Sequence, residues 1–453
     1  MLRVEGFLHG GTRVVNCGAG AGCRMLPSVP APPGIRDEAY KRLEAGHRSL
    51  ESESMSVQRP EDRRTVRNIV QMGFWAPSMA FLRRCREAGI ATHLIPMHEE
   101  GTQPSAAKKP SAAIIFMSES LPLGLDKPAE SLEQAVAFVR AVRAEAISSD
   151  DEGTLGWLAR HRERFEPECL VMASPAAAIE RMMQKSEQSA MAREAGFRVL
   201  PTWLIEPGDQ GAAIDGDGFP LCVRPTRMNS VEPEFKAERV ADRGALERFL
   251  RGLRWTSALI AQPFRTGPNR VLHGVRSEDG RMLALECFRT VSKHHGFALT
   301  IERCDLPEEL RLAAERFAAL ADLRGAFHFD LLEDGETGEI FFLEVNYRMG
   351  GTTAKVVRLG YDEPMLALRA FGLEPPWQPR ALVAARRTTG KRMLTGRLIE
   401  SLRQPAGALD YPASSRWSRF WDSTAQLAAV PDALLSWRDV RGSLWYLLRG
   451  GRM

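Results

Sequence analysis

The sequence lacks the features expected of a secreted, membrane-spanning or zinc-binding protein. Its seven cysteines among 453 residues are odd in number and scattered without C-x-x-C spacing, which argues against a disulfide framework and against a zinc site. No apolar run approaches the roughly 18 to 20 residues of a transmembrane helix, and the N-terminus has no compact hydrophobic segment with a cleavage site. We therefore expect a cytoplasmic protein without a membrane span.

A strong charge of one sign is also missing. The 61 basic residues are interleaved with 57 acidic ones, and the formal net charge is only +4. Nucleic-acid-binding proteins usually carry a basic patch or stripe, so we expect no nucleic-acid partner. Hydrophobic residues make up 44% of the chain, which is enough apolar surface for two or three cores. The composition favours a multidomain protein.

Several catalytic signatures are absent as well. The turn at Met72-Gly73-Phe74 has one glycine where a dinucleotide-binding turn has G-x-G-x-x-G, so it does not predict NAD binding. The chain contains no G-x-S-x-G, no H-E-x-x-H and no cysteine–histidine signature. Nothing in the sequence therefore predicts covalent or zinc-dependent catalysis.

The most informative segment that is present covers residues 341–351. Strand residues alternate between two faces, so Glu344, Asn346 and Arg348 should share one face. The opposite face would take Leu343, Val345 and Tyr347. Residues 327–332 read as a second strand, and the polar, glycine-containing segment 333–338 reads as a turn. The resulting hairpin would bring Asp330 beside Glu344.

This predicted hairpin has a specific chemistry. Two carboxylates and an amide oxygen are hard oxygen ligands, the kind that hold Mg²⁺ together with nucleotide phosphates. Arg348 could then stabilise phosphoryl charge through its planar guanidinium. The alternative is a solvated hairpin face whose polar residues alternate only because the other face is buried. The upstream Asp330, the turn and the trailing Gly350-Gly351 favour the metal-binding interpretation.

The segment resembles the metal-binding hairpin of the ATP-grasp superfamily, whose usual form is a carboxylate strand, a turn and LEVNPR-GG, with Tyr347 here in place of proline. Looser similarities, at residues 75–78 and 289–292, point to predicted carboxylate–amine ligases within that superfamily. The resemblance implies a mixed α/β and α+β protein, in which a Rossmann-like domain precedes a two-lobed ATP-grasp domain. It implies ATP and Mg²⁺ as cofactors, with Mn²⁺ as an alternative to Mg²⁺.

The same resemblance assigns roles to other residues. Lys185 begins a helix ended by Gly196, where the superfamily has a lysine that points at nucleotide phosphates. Arg224 takes the place of a second phosphate-binding lysine. Gln262 and the backbone of Phe264 would contact adenine, because Pro263 has no N–H to donate. The segment Met228-Asn229-Ser230 lies where a glycine-rich flap is usual, yet it has no glycine.

Arg289 begins a segment with several cations, residues 289–296. It reads either as a basic surface loop or as a binding site for a substrate carboxylate or the transferred phosphoryl group. In the second interpretation Arg289 would act with Arg348 as a catalytic residue. Ser78 and the nearby N–H groups at a helix start could meet an anionic substrate.

We predict four regions along the chain. Residues 1–63, rich in Gly, Pro, Ser and Arg, read as a disordered extension. Alternating strands and helices over residues 64–175 predict a Rossmann-like domain with a parallel sheet. Residues 176–372 carry the ATP-grasp similarities, and residues 373–453 read as a C-terminal appendage or partner surface.

Together these features predict an ATP-dependent ligase. A substrate carboxylate would be activated as an acylphosphate and then attacked by an amine, so both partners would be small molecules. The alternative is a degenerate ATP-grasp protein that binds nucleotide without turnover, suggested by Arg224 and by the glycine-poor flap. The sequence does not identify the acid or the amine. It also leaves the oligomeric state open, a homo-oligomer included.

Overall fold

The computed structural model describes residues 64–73, 76–95, 117–120, 128–209, 211, 214, 218–226, 230–235 and 237–449. The predicted extension over residues 1–63 lies outside the described residues, as does most of the glycine-poor segment, at 228–229. Within the described ranges, no helix combines the length and apolarity needed to cross a bilayer.

A parallel sheet forms from the first described elements. These are β1 (Arg64–Thr65), β2 (Asn68–Met72), α1 (Ala76–Glu87), β3 (Ala91–Ile95), β4 (Met117–Ser120), α2 (Pro128–Ala141), β5 (Ala146–Ser149), α3 (Glu152–Arg160), α4 (Arg162–Phe165) and β6 (Leu170–Val171). Five strands pair in the order β4-β3-β2-β5-β6, all parallel. Ile69 packs in one core cluster with α1, and Val70 packs in another with α2 and α3. β2 is therefore buried on both faces, as expected for a central strand of a parallel sheet.

A small antiparallel sheet follows two connecting helices. The elements are α5 (Ala176–Met182), α6 (Lys185–Ala195), β7 (Arg198–Val199), β8 (Trp203–Ile205), β9 (Leu221–Pro225), β10 (Val231–Glu232), β11 (Glu238–Val240), α7 (Arg243–Arg251), β12 (Arg254–Trp255) and β13 (Leu259–Pro263). The sheet order is β11-β9-β13-β8. α7 packs Leu246 and Leu250 into a separate core with Leu221, Val223 and Leu259. This sheet therefore has its own hydrophobic centre.

The large sheet is mostly antiparallel. Its strands include β14 (Asn269–Arg276), β15 (Met282–His294), β16 (Phe297–Cys304), β17 (Gly325–Glu333) and β18 (Ile340–Asn346), with α8 (Glu308–Leu320) between β16 and β17. β7 joins the edge of β18 in parallel. One face packs against α6 and α8 through an aromatic cluster: Phe197, Phe317, Phe329 and Phe342. Each such buried ring contributes roughly 2 kcal/mol of hydrophobic stabilisation.

The C-terminal segment is built into the large sheet. Its elements are α9 (Thr353–Arg358), α10 (Glu363–Ala370), β19 (Leu373–Glu374), β20 (Arg387–Thr389), α11 (Lys391–Ser401), α12 (Arg416–Ala429) and α13 (Val440–Arg449). β20 pairs with β16, which makes it the last strand in the order β20-β16-β15-β14-β17-β18-β7. The predicted appendage over residues 373–453 thus supplies a strand of the central sheet. The mixed α/β fold class is confirmed, and the domain limits stay predictions.

Candidate active site

The hairpin of β17 and β18 places the predicted metal ligands next to each other. Asp330 lies directly opposite Glu344 in the antiparallel register, and His328 lies opposite Asn346. Asp330, Glu344 and Asn346 are all partly exposed on the face opposite the aromatic cluster. The side-chain amide of Asn346 donates to Asp330 Oδ2 at 3.2 Å.

A β-bulge modifies the alternation that the sequence predicts. The register shifts between Asp330 and Leu331, so Leu343 is an extra residue on β18. Val345 and Tyr347 face the core as expected, but Phe342, not Leu343, is the next core residue. The carbonyl oxygen of Leu343 accepts a hydrogen bond from Arg224 Nη2 at 3.3 Å. The bulge therefore links the hairpin to a strand of the small sheet.

Two cations converge on Glu344. Lys185 Nζ, at the start of α6, lies 3.3 Å from Glu344 Oε2. Arg224 Nη1, on β9, lies 3.9 Å from the same oxygen. The side chains of Lys185 and Arg224 are 26% and 16% exposed, so both cations are partly accessible from solvent. The structure thus brings together the two residues that the sequence predicts to bind phosphate.

Gln262, on β13, connects the same group to Thr202. Its side-chain oxygen accepts from Arg224 Nη2 at 3.3 Å, and its side-chain nitrogen donates to Thr202 Oγ1 at 2.9 Å. The backbone N–H of Phe264 donates to the carbonyl oxygen of Pro220 at 2.6 Å. That donor is engaged within the small sheet. An adenine contact through Gln262 and Phe264 stays a prediction.

Arg348 lies beside the hairpin carboxylates and reaches the parallel sheet. Its Nη2 donates to Asn346 Oδ1 at 3.4 Å and lies 3.1 Å from Glu152 Oε1. Glu152 begins α3, directly after β5. Burial raises the pKa of the Glu152 carboxyl, and the nearby Arg348 opposes that shift. Arg348 therefore bridges two parts of the chain that meet at the site.

Arg289 does not join this group. It donates two hydrogen bonds to Glu333, at 3.0 and 3.2 Å, and its register partner Arg270 donates to the same carboxylate at 2.6 Å. Arg270 lies opposite Leu331, a core residue of the aromatic face, so alternation directs Arg289 away from the face of Asp330. Its surroundings are those of a structural ion pair.

A buried glutamine that the sequence analysis missed positions the hairpin edge. The side-chain oxygen of Gln188 accepts from the N–H of Val345 at 3.0 Å, and its nitrogen donates to the Val345 carbonyl at 3.2 Å. Gln188 is three residues after Lys185 on α6, so both project from the same side of the helix. The pair ties α6 to β18 between Glu344 and Asn346. No pattern around Gln188 marks it in the sequence.

A second hydrogen-bond network that we did not predict from the sequence lies behind the loop that follows Asn346. His273 contacts Glu363 at 2.7 Å, and Thr353 donates to Glu363 at 2.6 Å. The N–H of Gly350 donates to Thr353 Oγ1 at 2.9 Å. His328 stacks on His273, with ring centroids 5.1 Å apart. Burial, together with the neighbouring His273 and Arg348, holds the pKa of His328 well below its usual value.

The carboxyl edge of the parallel sheet adds a buried acid next to this site. Asp150 follows β5 and accepts hydrogen bonds from Ser78 Oγ at 2.6 Å and from Gln71 Nε2 at 3.3 Å. Burial raises the pKa of Asp150 to about 6, while Ser78 and Arg348 act in the opposite direction. Ser78 is thus engaged with a carboxylate. Its predicted contact with an anionic substrate stays a prediction.

The donor set fits a hard divalent cation, with one adjustment. Asp330, Glu344 and Asn346 offer oxygen atoms from adjacent strands, the ligand chemistry that Mg²⁺ prefers. Asn346 directs its nitrogen at Asp330 and its oxygen at Arg348. Its amide oxygen can join the two carboxylates only if the carboxamide turns over. Coordination therefore requires a rotation of Asn346.

No family model and no curated protein matches the sequence. The fold, in contrast, is similar to solved structures. An L-amino acid ligase from Bacillus licheniformis matches with a TM-score of 0.51 and 18% identity, covering 70% of this chain and 78% of that one. The ADP complex of an N5-carboxyaminoimidazole ribonucleotide synthetase matches with a TM-score of 0.57 and 10% identity, covering 80% of this chain and 96% of that one. A biotin carboxylase complex with β,γ-ATP from Campylobacter jejuni matches with a TM-score of 0.52 and 15% identity. The match covers 70% of this chain and 74% of that one.

These structures are ATP-grasp enzymes, and the protein described here has the ATP-grasp fold. The fold that the hairpin at Asp330 and Glu344 led us to expect is thereby confirmed. At 10 to 18% identity the similarity extends to the arrangement of the chain and not to its chemistry.

Proposed function

We propose that the protein is an ATP-dependent carboxylate–amine ligase, which activates a substrate carboxylate as an acylphosphate for attack by an amine. One observation carries the proposal: Lys185 and Arg224 converge on Glu344, directly opposite Asp330. Two cations beside two carboxylates are the charge pattern required by a metal-bound polyphosphate. The arrangement draws on α6, β9 and the hairpin, which are far apart in sequence.

Each of these residues has a role in the proposed reaction. Asp330, Glu344 and Asn346 would hold Mg²⁺, and Lys185 and Arg224 would bind nucleotide phosphates. When bound, Mg²⁺ and ATP supply charge neutralisation and the phosphoryl group. Arg348, whose guanidinium already contacts Asn346, would stabilise charge on the transferring phosphoryl group.

The acceptor would bind where Arg348 meets the parallel sheet. We propose that this sheet is the Rossmann-like domain, and that its carboxyl edge at Asp150 and Glu152 lines the acceptor pocket. Parallel α/β sheets bind ligands at the carboxyl ends of their strands. The ion pair between Arg348 and Glu152, at 3.1 Å, supports this location because it joins the sheet edge to the hairpin.

Turnover of Mg-ATP tests the proposal. The purified protein is incubated with Mg-ATP and a library of carboxylates and amines, and ADP release is measured. We expect release that depends on one acid and one amine, and that is lost in Asp330→Ala and in Glu344→Ala. Glu336→Ala, in the turn of the same hairpin, is the matched control and should keep full rate. Full rate in both site variants would refute the metal assignment.

The alternative is nucleotide binding without turnover. Arg224 favours it to a degree, because a guanidinium does not reproduce the point charge of a lysine. Tight binding of ATP without ADP release under any substrate combination would support this alternative. Binding of ATP that is unchanged in Lys185→Ala would count against both functions.

A further inference from the structure

The turn between β15 and β16 brings two adjacent histidines together. β15 ends at His294 and β16 begins at Phe297, so His295 and Gly296 form a two-residue turn, with φ of 49° and 77°. Positive φ at both positions is the mark of a type I′ turn, where Asn, Asp and Gly are usual. Histidine at the first position holds the two rings close, with centroids 4.1 Å apart.

The C-terminal segment adds two carboxylates to this pair. Glu400, on α11, places Oε2 3.1 Å from His294 Nε2 and 2.9 Å from His295 Nε2. Asp410 places Oδ1 3.5 Å from His294 Nδ1 and accepts from the backbone N–H of His295 at 2.7 Å. Two ring nitrogens therefore converge on one oxygen of Glu400, while a second carboxylate lies on the other side of His294.

Asp410 is placed to fix the orientation of His294. Its side chain is 1% exposed, accepts from the N–H of Gly407 at 3.0 Å and lies 3.1 Å from Arg419. A carboxylate beside Nδ1 of His294 orients the ring so that Nε2 faces Glu400. Nε2 of His294 lies 3.1 Å from Glu400 Oε2, a separation at which either a hydrogen bond or a shared metal ion can join the two atoms.

The donor set selects the kind of cation. Imidazole nitrogens suit Zn²⁺ and the neighbouring transition metals, whereas Mg²⁺ and Ca²⁺ prefer oxygen ligands. In a tetrahedral zinc site with bonds of roughly 2.0 to 2.2 Å, donor atoms are about 3.3 Å apart. The two nitrogen–oxygen separations of 2.9 and 3.1 Å would have to widen slightly, and His294, His295 and Asp410 also offer ligand atoms that lie within 4.8 Å of one another. Beside the rings lies a cleft of about 350 Å³, lined in part by Phe297, Arg392 and Met393.

We propose that His294, His295 and Glu400 bind a divalent transition metal ion of the Zn²⁺ class, with Asp410 orienting His294. The ion would have three protein ligands and one position open to the cleft. It would fasten α11 to the turn between β15 and β16. The site is distinct from the hairpin donors, because it uses nitrogen ligands and none of Asp330, Glu344 and Asn346.

Metal titration of the full chain tests the proposal. Protein without a histidine tag is stripped with a chelator and titrated with Co²⁺ and with Zn²⁺ in the absence of nucleotide. We expect one equivalent of metal per chain, a visible absorption band for bound Co²⁺, and a rise in the thermal midpoint with Zn²⁺ that equimolar Mg²⁺ does not produce.

Two conservative variants and two controls make the test specific. His295→Gln, at a side chain 58% exposed, and Glu400→Gln should each weaken Co²⁺ binding at least about tenfold. His161→Gln should bind as the unaltered protein does. Asp330→Ala should also bind Co²⁺ normally, so that this proposal and the proposed ligase activity can fail separately. No stoichiometric binding, or equal affinity in both site variants, would overturn the proposal and leave a proton shared between His294 and Glu400.

Discussion

Gln188 pairs with the backbone of Val345 as a neighbouring strand would. One side-chain amide satisfies both the N–H and the C=O of Val345, at 3.0 and 3.2 Å. The contact fixes β18 at Val345, between the two residues whose side chains extend into the site, Glu344 and Asn346. It also places Lys185, one turn earlier on α6, within 3.3 Å of Glu344.

We predict that Gln188→Leu lowers both stability and turnover. The change leaves two buried backbone groups of Val345 without partners, at a cost of about 1 to 3 kcal/mol each. Thermal unfolding followed by circular dichroism measures the loss of stability. At temperatures where the variant is fully folded, kcat/KM for ATP should still fall about tenfold, because Lys185 is no longer held beside Glu344. Glu187→Leu, exposed on the same helix, is the control. An unchanged kcat/KM in folded Gln188→Leu would limit the role of Gln188 to stability.

We predict that alanine at Gly350 lowers the stability of the protein, whereas alanine at Gly351 leaves it unchanged. A Cβ at Gly350 would lie 2.0 Å from His328 Cε1, and His328 is fixed against His273. A Cβ at Gly351 would have no atom within 4 Å. Gly350→Ala should destabilise the protein by about 1 to 3 kcal/mol and disturb the loop that carries Arg348. Gly351→Ala should leave the thermal midpoint unchanged. Equal midpoints for the two variants would contradict the packing of His328.

Arg348 and Arg289 are both predicted from the sequence to be catalytic, but only Arg348 lies beside the hairpin carboxylates, so we predict different effects of replacing them. Arg348→Lys should reduce kcat about a hundredfold, because a single ammonium cannot contact Asn346 and Glu152 together while binding a phosphoryl group. Arg289→Lys should leave kcat within about twofold and slightly lower the thermal midpoint, because its partner Glu333 is on the other face of the sheet. ADP release under saturating ATP measures both. A large loss of kcat in Arg289→Lys would support its predicted catalytic role.

Asp150 should make stability depend on pH below neutrality. Its pKa is raised from 3.8 to about 6 by burial, so the folded state binds this proton more tightly than the unfolded state does. The contribution of Asp150 to stability is therefore most favourable below about pH 4 and is lost as pH rises through about 6. Asp150→Asn should remove this loss and become more stable relative to the unaltered protein as pH rises from 4 to 7. The relative gain is at most about 3 kcal/mol.

Thermal midpoints of the two proteins across that range provide the measurement. A constant difference between them would show that Asp150 does not titrate differently on folding. Ser78→Ala removes a hydrogen bond that lowers the pKa of Asp150, so in this variant the loss of stability should occur at higher pH than in the unaltered protein.

The hairpin could be predicted from the sequence because its information is local. Glu344, Asn346 and Arg348 follow a two-residue period, and the turn and Asp330 lie within twenty residues. Lys185 and Arg224 were found only through their resemblance to superfamily residues, because neither spacing nor periodicity marks a cation 120 or more residues away. The bulge at Leu343 was not predicted, since one extra strand residue leaves no compositional signal.

The contacts that we could not predict from the sequence are mainly those between residues far apart in the chain. Gln188 reaches Val345 over 157 residues, and His295 reaches Glu400 over 105. The scattered spacing of the cysteines is evidence only against a cysteine-ligated zinc site. It gives no information about a site made of histidine and carboxylate ligands. Arg289 illustrates the converse case. A cation near the end of a strand suggested anion binding, whereas alternation and Glu333 give it a structural partner.

The last strand of the large sheet has a consequence for synthesis on the ribosome. β20 pairs with β16, and the partners Thr300 and Thr389 are 89 residues apart in the chain. Until translation has passed Thr389, the outer N–H and C=O groups of β16 have no neighbouring strand. An unpaired edge of this kind is a template for association between nascent chains. A nascent chain that already contains β16 but has not reached Thr389 therefore presents an open sheet edge to other chains.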